Sequence, residues 1–77
     1  MADLTPDACR AARALLRWTV RELGEKCGIS GESMSAFENG RPMRQSNRQR
    51  VVEVFEAHGV EILNGDSPGA RLRAIRG

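Results

Sequence analysis

The segment from Thr19 to Gly40 contains two short helical patterns that are separated by only three residues. The first pattern begins with a capping box, T-x-x-E, in which Thr19 and Glu22 satisfy each other's backbone N–H groups. Gly28 follows that pattern, and glycine readily takes the left-handed conformation that ends a helix. Ser30 caps the second pattern and Gly40 ends it. Two helices joined by a short glycine-containing turn form a helix-turn-helix.

Two further helical patterns flank this pair. The first follows Thr5 as a cap, with Pro6 in the first turn and apolar residues at helical spacing. The last begins with a second capping box, S-x-x-Q, formed by Ser46 and Gln49. Trp18 precedes the cap of the second helix as part of a hydrophobic staple, so we expect it to anchor the core. We therefore predict helices at about residues 6–17, 20–27, 31–39 and 47–58.

After Gly59 the pattern changes. The runs VEI and ARLRA alternate apolar and polar residues, as a half-buried strand does, and NGDSPG between them is typical of a turn. In the C-terminal extension, residues 60–77, the pattern therefore favours a short β-hairpin within residues 60–74. Because a two-stranded hairpin is marginal by itself, it must pack on the helices or pair with another chain.

The length predicts one domain over residues 1–77, because so short a chain has no room for a second, and the four helical patterns predict that this domain is all-α. No apolar run approaches the ~18–20 residues that span a bilayer, and the N-terminus lacks the pattern of a signal peptide. A cytoplasmic protein is the expectation. His58 has no partner for catalysis, and Cys9 and Cys27 do not have a metal-ligand spacing. We therefore expect no enzyme activity, no catalytic residues, no metal and no cofactor.

The positive charge is concentrated in two places. Eleven of the twelve basic residues are Arg. Residues 41–50 contain four Arg and residues 70–77 contain three, and neither stretch contains an acid. The planar guanidinium donates two parallel hydrogen bonds to phosphate. In a helix-turn-helix the first helix crosses the phosphate backbone and the second enters the major groove, so the pattern points to DNA.

The run WTVRELGEKCGISGESMSAFENGRP resembles the helix-turn-helix of lambda-repressor-like proteins (Cro/repressor type, XRE family). The matching features are Thr19, Leu23, Gly28, Ile29, Ser30, Met34 and the segment Phe37-Glu38-Asn39-Gly40-Arg41. The likeness covers roughly residues 8–63. It implies a compact bundle of four or five helices that binds operator DNA, usually as a homodimer. It also implies a buried ion pair between Arg13 and Glu38.

The resemblance also assigns a DNA-binding role to individual residues. The residues expected to face base edges are Gly31, Glu32, Ser35 and Ala36. Those expected to bind phosphates are Arg21, Ser33, Asn39, Arg41 and Arg44. The pattern departs from the family where Val20 replaces the usual Gln. The base-facing set also lacks Arg, Lys, Asn and Gln, which are the usual readers of bases.

Two functions remain open at this stage. The first is a small transcriptional regulator, a repressor that covers a palindromic operator as a homodimer, in a bacterial or phage-type cytoplasm at the nucleoid. The second is an antitoxin-like or other protein-interaction module. In either case the expected surface for a partner lies after Gly59, where four apolar residues exceed what a small core covers: Ile62, Leu63, Leu72 and Ile75. The sequence predicts no membrane partner.

Overall fold

A computed structural model of the chain describes residues 3–63 and 69–72. Within these ranges the chain is mostly helical, and four helices are followed by a two-stranded antiparallel sheet. The elements are α1 (Pro6–Leu16), α2 (Val20–Cys27), α3 (Gly31–Glu38), α4 (Gln45–Ala57), β1 (Val60–Leu63) and β2 (Gly69–Leu72). All four predicted helices are present, with ends within two residues of the predicted ones.

The predicted caps of the first three helices are present. Thr5 Oγ1 accepts a hydrogen bond from the Ala8 N–H at 3.1 Å, and Ser30 Oγ accepts one from the Ser33 N–H, also at 3.1 Å. Thr19 and Glu22 form the complete capping box, with hydrogen bonds of 2.9 and 3.0 Å. The bond that Glu22 accepts from the Thr19 backbone lowers the pKa of the Glu22 carboxyl below its ordinary value. Local capping therefore sets where these helices begin.

The predicted start of α4 is wrong. The helix begins at Gln45, and no side chain caps its N-terminus. The N–H groups of Asn47 and Arg48 both bond to the Arg44 carbonyl at 3.0 Å, so the first turn is already closed where Ser46 was expected to cap it. The Arg48 guanidinium also donates to the Met43 carbonyl and thereby fixes the chain just before the helix.

The described chain has one core, to which all four helices and β1 contribute. It contains Leu4, Ala8, Cys9, Ala12, Leu23, Cys27, Met34, Phe37, Met43, Val51, Val52, Phe55, Val60 and Ile62. Trp18 packs against this core as expected, with its ring 6.1 Å from that of Phe55. Both cysteines are free thiols. Burial raises the pKa of Cys27 to about 11 and raises that of Cys9 further.

The C-terminal hairpin packs on the helices. Val60 pairs with Leu72 and Ile62 with Ala70, so these four side chains share one face of the sheet. Val60 and Ile62 lie in the core, whereas Leu72 is 55% exposed. The expectation that Ile62 is spare for a partner is therefore wrong, because the sheet uses it to close the core. Ile75 lies outside the described residues.

One close approach joins α2 to the turn that follows it. Gly24 is buried, and a Cβ atom at this position would lie 2.5 Å from the Ile29 backbone oxygen. Gly31, at the start of α3, differs: a Cβ there would lie 3.7 Å from the Arg21 Cα, which is an ordinary contact. Of Gly24 and Gly31, only Gly24 is therefore required by a close approach of the backbone.

We predict that Gly24→Ala lowers the free energy of unfolding by about 1–3 kcal/mol, because the added methyl group must displace backbone. Gly31→Ala is the matched control. It should change the free energy of unfolding by less than about 1 kcal/mol, since the new side chain has room. Chemical denaturation followed by Trp18 fluorescence measures both. Equal stability of the two variants would contradict the close approach.

Candidate nucleic-acid interface

The inner side of α3 is fixed by the core. Met34 is fully buried and Phe37 is 4% exposed, and both belong to the core cluster. An eight-residue helix is too short to be stable alone, so contacts with neighbouring helices determine its orientation. The side that carries these two residues is committed to packing, and the opposite side remains accessible.

A buried ion pair holds the C-terminal end of α3 against α1. The Glu38 carboxylate accepts hydrogen bonds from Arg13 Nε at 2.9 Å and from Arg13 Nη2 at 2.8 Å. Cys9 Sγ donates a third hydrogen bond to Glu38 at 3.2 Å. The hydrogen bond with Glu38 raises the pKa of Arg13. The structure thus contains the ion pair that the family resemblance implied.

Two further hydrogen bonds extend this contact. Arg13 Nη1 donates to the Trp18 carbonyl at 3.1 Å, so the same guanidinium ties the α1–α2 turn to α3. Arg10 donates to the backbone carbonyl of Glu38 through Nη1. A cation at the C-terminus of a helix also complements its dipole. Two arginines of α1 therefore position the end of α3.

The residues expected to face bases lie in different environments. Glu32 is exposed, whereas Ser35 and Ala36 are partly exposed. The side chains of Glu32 and Ser35 make no hydrogen bond or ion pair with any described residue. Gly31 lies against the first turn of α2, next to Arg21. The accessible side of α3 therefore presents the carboxylate of Glu32, the hydroxyl of Ser35 and the methyl group of Ala36. At the start of the helix, Gly31 presents only backbone.

The arginines form two groups. Five of them bond within the described part of the chain: Arg10, Arg13, Arg48, Arg50 and Arg71. The other four, Arg17, Arg21, Arg41 and Arg44, are exposed, and among the described residues they have no hydrogen-bond or ion-pair partner. The side chain of Asn39 is likewise exposed and without such a partner. Ser33 differs, because its hydroxyl accepts from Ser30 Oγ at 2.9 Å. The residues predicted to bind phosphates are Arg21, Ser33, Asn39, Arg41 and Arg44, and of these only Ser33 has a side-chain partner in the described chain.

An open groove lies between α3 and the start of α4. It has a volume of about 520 Å³ and is lined by Ser33, Ala36, Arg41, Pro42, Met43, Arg44 and Asn47. The first turn of α4 has no side-chain cap and no acid. Its free N–H groups carry the positive end of the helix dipole, and the two arginines add full charges. The groove is therefore chemically suited to an anion.

Sequence reasoning missed Asn47 as a lining residue of this groove. The predicted helix began at Asn47 with Ser46 as its cap, and Asn47 was given no role in binding. With α4 beginning at Gln45, Asn47 lies in the first turn and faces the same groove as Arg44. The missing acid after Arg44 was the available signal, since a first turn without Asp or Glu favours an external anion.

Comparisons with known proteins add no family assignment. No family model matches the sequence, and no curated protein is similar to it. None of the four helices is long and apolar enough to cross a membrane in the part of the chain that the structure describes. Residues 3–63 and 69–72 also contain no group of three or more His, Cys, Asp or Glu side chains that could hold a metal ion.

We predict that Glu38→Ala lowers the free energy of unfolding by about 3–5 kcal/mol, because it leaves the partly buried side chain of Arg13, 24% exposed, without its carboxylate. Glu61→Ala is the control. Glu61 pairs with Arg71 at 2.9 Å, nearly the same distance, but its side chain is 36% exposed against 7% for Glu38. The control should lose less than about 1 kcal/mol.

Urea denaturation of both variants tests the contrast between the two ion pairs. A similar loss of unfolding free energy in Glu38→Ala and Glu61→Ala would mean that the buried ion pair contributes no more to stability than the exposed one. The position of α3 would then rest on apolar packing alone.

Proposed function

We propose that this chain is a lambda-repressor-like helix-turn-helix protein that binds double-stranded DNA and regulates transcription. One observation carries the proposal. Exposed arginines without a partner among the described residues, Arg21, Arg41 and Arg44, lie beside α3, while the inner side of α3 is fixed by the core and by α1. A rigid helix with an accessible polar side, bordered by free arginines, is the arrangement that enters a major groove.

Base contacts in this proposal come from the accessible side of α3. A major groove about 12 Å wide admits one helix. Glu32 would accept a hydrogen bond from cytosine N4, and the Ala36 methyl group would contact the methyl group of thymine. Ser35 would serve as a donor or an acceptor at either kind of base pair. Gly31 would bring the backbone itself close to the bases.

Phosphate contacts in this proposal come from both flanks of α3. Arg21 lies on the α2 side, and Arg41 and Arg44 lie on the α4 side. The uncapped start of α4 would add backbone N–H donors to a phosphate in the groove. Asn39 and Ser33 would complete the contacts. Because few side chains of α3 can donate hydrogen bonds to bases, we expect these contacts to the DNA phosphates to supply most of the affinity.

The proposed mode of regulation is operator occupancy by a homodimer at the nucleoid in the cytoplasm. A two-fold dimer would require a palindromic operator with half-sites about one helical turn apart. Two large apolar side chains support a further surface for a second copy: Leu15 is 39% exposed and Leu72 is 55% exposed. Covering them on association would remove apolar area from water.

A second candidate function is protein binding, as in an antitoxin-like module. One specific observation favours it: α3 contains Glu32 and Glu38 but no Lys or Arg. Glu32 repels phosphate, and a DNA-reading helix usually carries Arg, Lys, Asn or Gln. In that case the accessible side of α3 would contact a polypeptide, and DNA binding would be secondary.

Selection of bound sites from a pool of random duplexes, with the purified chain at physiological salt, separates these functions. Enrichment of a palindromic motif would support a dimeric regulator and would give the half-site spacing directly. Enrichment of a single half-site would support DNA binding without the dimer. No enrichment, together with no binding to any duplex at low salt, would overturn the proposed function.

We predict that Arg41→Ala weakens binding to all duplexes alike, by about five- to tenfold, because the lost contact is to phosphate. The slope of log K against log salt should fall in magnitude by about 0.9. Arg71→Ala is the control, since Arg71 pairs with Glu61 in the hairpin. Fluorescence anisotropy over a series of salt concentrations measures both. Equal effects of the two substitutions would contradict the assignment.

We predict that Glu32→Ala changes the preference at one base position, because Glu32 is the proposed reader of cytosine. The preference for the cytosine pair should drop by about 1–3 kcal/mol. Overall affinity should stay equal or rise, since a negative charge near phosphate is removed. Repeating the site selection with the variant measures the preference. An unchanged motif would remove Glu32 from the base-reading set.

A further inference from the structure

Arg17 has an unusual backbone conformation for its residue type. It is the C-cap of α1, with φ 58° and ψ 35°, in the left-handed region. Among the described residues it is the only one other than glycine with a positive φ. This conformation crowds the Cβ atom of every residue except glycine. Glycine is therefore the usual residue at such a helix end.

The fold does not need an arginine at this position. The cap is made by backbone alone: the Arg17 N–H bonds to the Ala14 carbonyl at 3.1 Å and the Trp18 N–H to the Arg13 carbonyl at 3.0 Å. The Arg17 side chain is exposed and makes no hydrogen bond or ion pair with a described residue. Strained residues that packing does not explain are concentrated at functional sites.

The turn that carries Arg17 is rigid and leads directly to the proposed interface. Arg13 Nη1 holds the Trp18 carbonyl at 3.1 Å, and the Trp18 ring contacts the rings of Phe55 and His58. Two residues after Arg17 the cap of α2 begins, and Arg21 lies in its first turn next to Gly31 of α3.

The N-terminus of α2 is itself a weak anion site. The capping box already uses the Thr19 and Glu22 N–H groups, and it places the Glu22 carboxylate at the helix end. Val20 offers no polar side chain there. A phosphate that passes this end of α2 would therefore need a cation from a neighbouring position. The exposed, unpaired arginines on either side of the cap are Arg17 and Arg21.

We propose that Arg17 is a further phosphate-binding residue, which holds the DNA backbone on the α2 side of α3 together with Arg21. This inference rests on the proposed function. The alternative is structural, because a cation at the C-terminus of α1 also complements the helix dipole. The two explanations differ for Arg17→Gly, which removes the side chain and relieves the backbone. A phosphate contact predicts weaker DNA binding without a loss of stability, whereas a purely structural role predicts lower stability with unchanged DNA binding.

The test compares three variants with the wild-type chain: Arg17→Gly, Arg17→Asn and Arg17→Lys. Asn tolerates the left-handed conformation without a charge, and Lys retains the charge. Anisotropy with a random-sequence duplex over a range of low salt concentrations gives affinity and salt slope. Urea denaturation gives the stability of the same samples. Arg71→Gln is the control for loss of one positive charge elsewhere.

We expect Arg17→Gly and Arg17→Asn to bind about five- to tenfold more weakly, with the salt slope reduced by about 0.9, because one phosphate contact is lost. Arg17→Lys should bind close to wild type. Arg17→Gly should be at least as stable as wild type. Wild-type affinity in the Gly and Asn variants would overturn the role of Arg17, whether or not they lose stability. A wild-type chain that binds no duplex would instead overturn the proposed function, and this inference with it.

Discussion

The Glu38 carboxylate joins α3 to α1, and the accessible side of α3 depends on this contact. Three donors from α1 reach it, two from Arg13 and one from Cys9, so a nearly buried charge is paired and hydrogen-bonded. An unpaired carboxylate at 7% exposure would be costly. These contacts hold the end of α3 against α1, with Met34 and Phe37 in the core. Its outer side follows from that constraint.

Although the net charge is only +2, the arginines fall into two groups, those bonded within the fold and those without a partner. Arg10 and Arg13 fix the end of α3. Arg48 donates to the Met43 carbonyl before α4, and Arg50 donates to the Cys27 carbonyl at the end of α2. These bonded arginines serve the fold. Arg71 pairs with Glu61 in the hairpin. The other arginines of the described chain are exposed and have no partner among the described residues: Arg17, Arg21, Arg41 and Arg44. They border α2, α3 and the start of α4. The arginines that the fold leaves unpaired thus lie at the end of α1, in α2 and just before α4.

Local rules predicted most of the fold. Thr5, Thr19 and Ser30 cap their helices because each oxygen needs only the N–H three residues ahead. The rules failed where distant contacts compete. Arg48 and the backbone before α4 displaced the Ser46 box, and the sheet drew Ile62 into the core. Glycine is required at position 24 because α2 approaches the backbone of the turn that follows it, and no spacing in the sequence indicates that contact. For the candidate site, the resemblance supplied the residues as a prediction, whereas finding which arginines are unpaired required coordinates.

The central claim is that the outer side of α3 and its flanking arginines form the DNA-binding surface. The most direct measurement is a titration of the isotope-labelled chain with duplex DNA, followed by NMR of the backbone amides. The account predicts that the largest shifts fall on the first turn of α2, on α3 and on residues 39–47. The chemical shifts of the β1 and β2 amides should stay unchanged, provided that the oligomeric state is the same with and without DNA. Shifts confined to the hairpin, or no shifts with any duplex at low salt, would contradict it.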